Sequence, residues 1–214
     1  MNYSFRKKNK TVKYIILHYT GMKNLKSAYG RLNGIISDVS AHYLISKQGK
    51  IYNLLCPKFK AWHAGNSQWK KDKNLNDSSI GIELENKGHD HGYTKFTSKQ
   101  YESLRKLIIF LRTIYRLNDD CILFHSDISP NRKKDPGEKF DLNKVGITRF
   151  HKLKINNKNL SLSKMLSLYG FSNEYIELYH DDCIMAVKRS LKYKKITKNI
   201  DKNFKKNLYN LLIR

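Results

Sequence analysis

The sequence predicts an α/β fold, in which a mixed central β-sheet is flanked by helices and is followed by a small helical C-terminal unit. Strand-like and helix-like patterns alternate over the first part of the chain, whereas only helical patterns follow position 151. Hydrophobic residues make up 40% of the 214 residues, and 11 Gly and 3 Pro are too few for a disordered or collagen-like polymer. We therefore expect two folded units, residues 1–150 and residues 151–214.

The first predicted strands lie in the N-terminal third of the chain. Residues 14–17 are apolar, mostly β-branched or aromatic, and predict a buried strand that ends at His18. Residues 40–46 and 51–55 flank a short connector that contains Gly49, which predicts a β-hairpin.

A third strand and the longest helix follow. Residues 79–86 alternate apolar and polar side chains, which predicts a half-buried strand with Glu83 and Glu85 on the same face. Between positions 97 and 118 apolar side chains recur every three or four residues, which predicts a helix with Thr97 or Ser98 as its N-cap.

The rest of the first unit contains a short strand and a loop, and the second unit is helical. Residues 121–124 predict a buried strand that leads directly to His125, and the polar residues 126–141 predict a loop. In the C-terminal unit, helical patterns cover the segments 160–169, 180–193 and 201–212.

The charge of the chain indicates the class of its partner. There are 42 Lys plus Arg and 18 Asp plus Glu, so the formal net charge is +24 and the pI is about 9.9. A charge of this size indicates a polyanionic partner, such as nucleic acid, an anionic membrane surface or an acidic polymer. Because Lys, Asn and Ile are all abundant, codon bias of an AT-rich genome is an equal explanation for part of the excess.

Cysteine spacing and hydropathy limit the cellular locations that we expect for the protein. Cys56, Cys121 and Cys183 have no CxxC spacing, which excludes a cysteine zinc site and argues against a disulfide framework. No apolar run approaches the roughly 18 residues of a membrane-spanning helix, and the basic N-terminus lacks the apolar stretch of a signal peptide. We therefore expect a cytoplasmic protein without a transmembrane segment. The alternative is the periplasm or cell envelope, reached by another route or with a signal that has been removed.

Three side chains have the chemistry of a catalytic metal site. His18 and His125 each follow a predicted strand, and Asp135 lies in the loop after the second of these strands. Two imidazoles and one carboxylate leave one position open on a tetrahedral zinc ion, which is typical of a catalytic site. Because the chain has eight histidines, spacing alone leaves other choices of ligand open.

Five short motifs in fixed order carry a resemblance to a known family. They are His-Tyr-Thr at 18–20, Val-Ser-Ala-His-Tyr-Leu-Ile at 39–45, Ala-Trp-His-Ala-Gly at 61–65, Ser-Ile-Gly-Ile-Glu-Leu at 79–84, and the segment from His-Ser-Asp at 125 to Asp-Pro-Gly at 135. Over about residues 11–145 the chain resembles the zinc-dependent N-acetylmuramoyl-L-alanine amidases, which share their fold with peptidoglycan recognition proteins and some phage endolysins.

The resemblance implies roles for five residues. It assigns one zinc ion per chain to His18, His125 and Asp135, the same three residues that the ligand chemistry selects. It places Glu83 at the position of the general base and Lys133 at the position that stabilises the oxyanion. Arg132 and Lys134 adjoin Lys133, so a solvated basic loop is the competing interpretation of that residue.

The resemblance also implies a substrate. The expected reaction is hydrolysis of the amide between the lactyl group of N-acetylmuramic acid and L-alanine, in peptidoglycan or in its intact or anhydro muropeptide fragments, during cell-wall turnover, remodelling or recycling. His63, in the Trp-His-Ala-Gly segment, is expected to contact substrate or to support the site, and a packed histidine is an equal alternative. The C-terminal unit resembles, by helix count and position, the three-helix peptidoglycan-binding module of the AmiD branch.

Three alternatives remain at this stage. A phage-type lytic amidase would use the same residues, and some relatives lose zinc and only bind peptidoglycan, although this chain retains all three ligands. A nucleic-acid-binding protein would explain the charge. However, the sequence has no zinc-knuckle spacing, no aromatic ribonucleoprotein-type strand and no basic region with heptads, so no nucleic-acid partner is expected. The sequence makes no prediction of the oligomeric state.

Overall fold

A computed structural model of the chain describes residues 2–34, 37–149 and 160–213. The strands are β1 (Tyr3–Phe5), β2 (Tyr14–Tyr19), β3 (Tyr43–Ile45), β4 (Ile51–Asn53), β5 (Phe59–Ala61), β6 (Gln68–Trp69), β7 (Asp72–Lys73), β8 (Ser79–Leu84) and β9 (Ile122–Phe124). The α-helices are α1 (Leu25–Asn33), α2 (Ser98–Tyr115), α3 (His125–Ile128), α4 (Leu162–Tyr169), α5 (Asn173–Leu178), α6 (His180–Ser190) and α7 (Lys202–Leu212). Short 3-10 helices cover Leu75–Ser78, His89–His91, Asp119–Cys121 and Leu142–Val145.

The central sheet has five strands in the order β4-β3-β8-β2-β9. Strand β2 is parallel to β8, with His18 opposite Glu83, and is also parallel to β9, with Leu17 opposite Phe124. Strand β3 is parallel to β8 and antiparallel to β4, as the predicted hairpin requires. The mixed sheet and its flanking helices confirm the predicted fold class.

One face of the sheet packs against α2. Alternation along the strands places Ile15 and Leu17 of β2 on this face, together with Ile80, Ile82 and Leu84 of β8. They form one core cluster with the apolar stripe of α2, which includes Leu104, Leu107, Ile108 and Leu111. Burial of this stripe is the main reason that α2 is stable, since helices gain most of their stability from packing an amphipathic face.

The N-terminus of α2 confirms the predicted cap. The hydroxyl of Thr97 accepts a hydrogen bond from the backbone N–H of Gln100 at 3.1 Å, and the side-chain oxygen of Gln100 accepts one from the backbone N–H of Thr97 at 3.1 Å. This reciprocal capping box satisfies two backbone donors that a helix otherwise leaves unpaired.

The opposite face of the sheet packs against the C-terminal helices. Ile16 of β2 and Leu123 of β9 share a core cluster with residues of α4, α6 and α7, which include Leu166, Val187 and Leu208. The ring of Trp69 packs edge-on against Tyr169 and Phe171, at centroid distances of 5.7 and 6.1 Å. Gly170 permits this approach, because a Cβ at that position would lie 2.6 Å from Cε2 of Trp69.

A buried polar cluster joins the same two parts of the chain. The carboxylate of Asp127 accepts hydrogen bonds from Arg149 at 2.6 Å and from the hydroxyl of Tyr169 at 2.7 Å. Arg149 also donates to the hydroxyl of Ser190 at 2.6 Å. Although burial disfavours the charged guanidinium, the Asp127 carboxylate holds the pKa of Arg149 above its ordinary value. Both Asp127 and Arg149 therefore have hydrogen-bond partners in addition to each other.

The structure corrects the sequence prediction at several elements. The expected loop 126–141 begins with the one-turn helix α3, because the Asp127 carboxylate accepts from the backbone N–H of Phe124 at 2.9 Å and holds the first turn. Helices α1 and α5 were not predicted. The expected boundary between residues 150 and 151 lies outside the described residues, so the division into 1–150 and 151–214 stays a prediction. Within the described residues no helix has the length and hydropathy of a membrane span.

Candidate active site

The candidate site lies where two parallel strands end at one edge of the sheet. His18 is the fifth residue of β2, and His125 directly follows β9. Because Leu17 and Phe124 are opposite each other in register, the next residue of each strand stands at the same level. Side chains alternate along both strands, so His18 and His125 point to the same face as Ile16 and Leu123.

Asp135 completes a group of three. Its Oδ2 lies 3.0 Å from Nδ1 of His18 and 3.0 Å from Nδ1 of His125, and the two Nδ1 atoms are 2.9 Å apart. All three residues are buried. The backbone carbonyl of Asp135 accepts from the N–H of Ser126 at 3.0 Å, which ties the loop back to α3. Three donor atoms thus converge on one point, as a metal site requires.

The protonation of His125 fits a metal ligand. Its Nε2 lies 3.2 Å from the carbonyl oxygen of Ala64, which can only accept, so Nε2 carries the proton. The unprotonated Nδ1 then faces His18 and Asp135. Burial and the nearby His125 lower the pKa of His18 to about 4, and the two imidazoles outweigh burial to hold the pKa of Asp135 well below its ordinary value. At neutral pH His18 is therefore a neutral imidazole and Asp135 is a carboxylate.

Glu83 faces the same point from the adjacent strand. It is opposite His18 in the pairing of β2 with β8. Its Oε2 is buried and has no hydrogen-bond partner among the described residues. Burial and the Asp135 charge raise the pKa of Glu83 well above its ordinary value, while Lys133 acts in the opposite direction. An unpaired buried carboxylate oxygen beside three metal donors is available to hold a proton.

Lys133 differs from its two basic neighbours. It is partly buried, whereas Arg132 and Lys134 are exposed. The guanidinium of Arg132 is already committed to the backbone carbonyl of Asn66 at 2.6 Å and to the hydroxyl of Ser129 at 2.9 Å. The backbone N–H of Lys133 donates to Ser129 at 3.0 Å, which places its side chain at the cleft wall.

His63 lies behind His18. Its Nδ1 is 3.0 Å from Nε2 of His18, and its Nε2 is 3.2 Å from the hydroxyl of Ser79. His63 is 8% exposed and is one of the residues that line the cleft. His63 thus contacts His18, and both its support role and its contact with substrate stay predictions. His42 supports the sheet, since its Nδ1 accepts from the N–H of Gly81 at 3.0 Å.

These residues line an open cleft of about 450 Å³. The walls hold the metal donors, Glu83 and Lys133, and Arg31 of α1 adds a further cation. Arg31 was missed because α1 was not predicted. Its N-cap was a usable signal: the side chain of Asn24 accepts from the backbone N–H of Ser27 at 2.9 Å.

Comparisons with known sequences agree on one family. The family described as N-acetylmuramoyl-L-alanine amidase matches residues 8–138. The chain is 33% identical over 141 residues to the N-acetylmuramoyl-L-alanine amidase AmiD of Escherichia coli, which covers 60% of this chain and 50% of AmiD. It is 41% identical over 104 residues to the 1,6-anhydro-N-acetylmuramyl-L-alanine amidase AmpD of Haemophilus influenzae, which covers 48% of this chain and 54% of AmpD. The chain thus spans about half the length of these curated relatives.

Comparisons with solved structures cover nearly the whole chain. AmpDh3 of Pseudomonas aeruginosa superposes with a TM-score of 0.79 at 26% identity, over 94% of this chain and 91% of that chain. A complex of Escherichia coli AmiD with the substrate anhydro-N-acetylmuramic acid-L-Ala-D-gamma-Glu-L-Lys superposes with a TM-score of 0.77 at 26% identity, over 94% of this chain and 88% of that chain. The similarity therefore includes the C-terminal helices as well as the sheet.

Proposed function

The chain belongs to the N-acetylmuramoyl-L-alanine amidase family, and from that membership we propose that it hydrolyses the amide between the lactyl group of N-acetylmuramic acid and L-alanine. The substrate class is peptidoglycan or its muropeptide fragments. The crystal complex of AmiD with an anhydromuramyl tripeptide, and the name of the AmpD relatives, support the anhydro fragments as substrates. A cytoplasmic location stays a prediction.

One observation carries the proposal. Nδ1 of His18, Nδ1 of His125 and Oδ2 of Asp135 converge within 3.0 Å of one another, and the unpaired carboxylate of Glu83 stands at the same strand edge. A structural role alone would not bring three metal donors together at the floor of an open cleft.

The donor set suits zinc. Two neutral imidazoles and one carboxylate leave one coordination position open, as in catalytic zinc sites. We propose that His18, His125 and Asp135 hold one zinc ion per chain. When bound, zinc supplies Lewis-acid activation of the scissile carbonyl and of the attacking water.

Glu83 supplies the proton transfers. Its carboxylate accepts a proton from the attacking water and returns it to the nitrogen of the leaving L-alanine. Burial raises the pKa of Glu83, so its carboxylate is a stronger base than one in water. Glu85, which directly follows β8, does not do this, because it already accepts from the backbone N–H of Lys47 at 2.8 Å.

Lys133 stabilises the negative charge that develops on the carbonyl oxygen. A cation that is held at the cleft wall in a partly buried position loses less of its field to water than an exposed lysine does. The additional positive charges of Arg31 and Lys134 along the same cleft suit the carboxylates of a stem peptide.

Two variants separate the metal role from the proton role. We expect Asp135→Ala to remove the metal and Glu83→Gln to retain about one zinc per chain while it loses at least about 100-fold in kcat. Metal content by atomic absorption and release of stem peptide from muropeptides are the two measurements. Glu85→Gln is the matched control, since it changes a carboxylate two residues away, directly after the end of the same strand. Loss of the metal in Glu83→Gln would make Glu83 a ligand and contradict the assigned roles.

A further inference from the structure

A line of buried hydrogen bonds runs from His18 away from the cleft. Nε2 of His18 lies 3.0 Å from Nδ1 of His63, and Nε2 of His63 lies 3.2 Å from the hydroxyl oxygen of Ser79. The hydroxyl of Ser79 lies 2.6 Å from the carbonyl oxygen of Leu75. His18, His63 and Ser79 are 2%, 8% and 0% exposed, so water does not compete for these bonds.

The hydrogen bond to Leu75 at the end of this line determines which atom donates in each of the other bonds. The carbonyl of Leu75 can only accept, so the hydroxyl of Ser79 donates to it. The hydroxyl oxygen of Ser79 is then an acceptor, and Nε2 of His63 must carry the proton. A neutral imidazole has one N–H, so Nδ1 of His63 accepts, and Nε2 of His18 must donate to it.

The position of this proton also determines which nitrogen of His18 is available to a metal ion. Once the proton of His18 is on Nε2, its Nδ1 has a free electron pair, and this is the atom that faces His125 and Asp135. His125 reaches the same state through a single bond, from its Nε2 to the carbonyl of Ala64. Residues 63 and 64 thus set the tautomers of both histidine ligands.

Two features of the fold favour the observed position of the His63 ring. A Cβ at position 81 would lie 2.6 Å from Nδ1 of His63, so glycine at this point of β8 leaves the space that the ring occupies. The backbone N–H groups of His63 and Ala64 both donate to the side-chain oxygen of Asn76, at 3.0 and 2.7 Å. The backbone at positions 63 and 64 is thus anchored to Asn76, and the glycine at position 81 leaves room for the ring.

We propose that His63 and Ser79 are positioning residues that hold the proton of His18 on Nε2 and so reserve Nδ1 for the metal. The proposal rests on the zinc site proposed above. Partners of this kind, which orient a metal-bound histidine, are typically worth 10- to 100-fold in metal affinity.

The tautomer of His18 is directly measurable in the metal-free protein. Two-dimensional ¹⁵N–¹H spectra of the histidine rings distinguish a protonated Nε2 from a protonated Nδ1. We expect His18 and His63 both to carry the proton on Nε2 at neutral pH. A proton on Nδ1 of His18 would overturn the proposal, and this outcome requires no variant to fold.

Two substitutions at position 63 test the same point through metal affinity. The amide oxygen of asparagine stands about where Nδ1 of histidine does, so His63→Asn keeps an acceptor for Nε2 of His18, whereas His63→Leu has similar size and no acceptor. We expect the zinc dissociation constant, measured by competition with a chromophoric chelator, to rise about 10- to 100-fold in His63→Leu and less than about 5-fold in His63→Asn. Equal losses in the two variants would contradict the proposal.

Ser79 is tested against a serine that is equally buried. Ser79→Ala removes the acceptor that fixes His63, and we expect zinc affinity to fall several-fold and a second tautomer of His63 to appear in the spectra. Ser126→Ala is the control, because the Ser126 hydroxyl is buried without a hydrogen-bond partner among the described residues and adjoins a metal ligand. Unchanged affinity in Ser79→Ala, or an equal loss in the control, would contradict the role of Ser79. Because the readout is zinc binding, absence of amidase activity in the wild type would refute the proposed function and leave this result intact.

Discussion

Glu83 and Glu85 show how the surroundings decide the role of a side chain. The spacing predicts that both lie on one face of a strand 79–86, whereas in the structure Glu83 lies in β8 and Glu85 directly follows the end of β8 at Leu84. Glu85 accepts a backbone hydrogen bond from Lys47 and holds the hairpin turn, whereas Oε2 of Glu83 has no partner among the described residues. The unpaired oxygen belongs to Glu83, which lines the cleft with His18, His125 and Asp135, and this fits the proton-transfer role proposed for it.

Lys133 gives a sharp test at the scale of one residue. We expect Lys133→Met to lower kcat by about 10²- to 10³-fold, the usual effect of losing one oxyanion donor, and to leave the zinc content unchanged. Lys134→Met removes an adjacent, exposed charge, and we expect it to change kcat by less than about 5-fold. Steady-state kinetics on a muropeptide checks both variants. Similar losses in the two would indicate general attraction of an anionic substrate instead of a local role.

The sequence was sufficient to select the three residues of the candidate metal cluster, but not the residues that surround them. His18, His125 and Asp135 could be predicted because strand ends and ligand chemistry select them, and the family resemblance selects the same residues. Ser79 and Arg31 could not. A serine hydroxyl carries no signal of its bonding direction, and Arg31 reaches the cleft only because α1 packs there.

At the scale of elements, the parallel pairing of β2 with its neighbours builds the site. Strands β8 and β9 flank β2, and all three end at one edge, so Glu83, His18 and His125 meet without long connecting segments. Alternation then separates the two faces: one packs on α2, and the other carries both the site and the contact with the C-terminal helices.

The short strand β7 is tied to β2 by a carboxylate. Asp72 accepts from the hydroxyl of Tyr14 at 2.7 Å and from Lys13 at 3.0 Å. Burial alone would raise the pKa of Asp72, but these two hydrogen bonds outweigh it, and its pKa lies below the ordinary value of 3.8. A carboxylate with a depressed pKa in the folded state stabilises the fold above its unfolded pKa, and the effect is lost as the pH falls through the folded pKa.

We therefore expect the loss of stability in Asp72→Asn to depend on pH. We expect it to lower the free energy of unfolding by about 1 kcal/mol at pH 7, a modest value because Lys13 is exposed and screened by solvent. The difference from the wild type is expected to shrink as the pH falls below 4. Urea unfolding at pH 7 and pH 3 measures both values, and a difference that is constant with pH would contradict the ionic contribution.

The elements that were predicted and those that were missed differ in their physical signal. Helix α2 has five turns with an apolar stripe and a capping box, and β2 is a continuous apolar run. Helix α5 has six residues, too short for a periodic pattern, and α3 depends on one side-chain bond from Asp127. Short elements are held by tertiary contacts that the local sequence does not encode.

At the scale of the whole molecule, the C-terminal helices share a core with the sheet. Leu166 and Tyr169 of α4 pack in the same cluster as Ile16 and Leu123, and the buried charge pair of Asp127 and Arg149 binds Tyr169 and Ser190. Removal of these helices would expose apolar side chains directly behind His18 and His125. The helices are therefore part of what holds the metal donors in place.

This shared core predicts cooperative unfolding. We expect Leu166→Ala to lower the free energy of unfolding by about 2–5 kcal/mol, because Leu166 is fully buried, and to retain a single transition. Far-UV circular dichroism and tryptophan fluorescence are expected to report the same midpoint. Leu178→Ala is the matched control, since Leu178 is 64% exposed and its loss is expected to cost less than about 0.5 kcal/mol. Two separate transitions in the wild type would show that the helices fold as an independent unit.

The structure shows which of the cations behind the net charge of +24 lie at the cleft. Arg31, Lys133 and Lys134 line the cleft, which suits the carboxylates of the proposed stem-peptide substrate. Attraction over longer distances is screened beyond about 8 Å at physiological salt. The cations at the cleft, and not the total charge, are thus the ones expected to contribute to binding.

Identification of the reaction products tests the central claim most directly. The zinc-loaded protein is incubated with anhydromuropeptides and, separately, with intact sacculi, and the products are analysed by mass spectrometry. We predict free stem peptides that begin with L-alanine, together with a muramic acid that keeps its lactyl carboxylate. A folded, zinc-loaded sample that releases no stem peptide from either substrate, or that cleaves a different bond, would contradict the account.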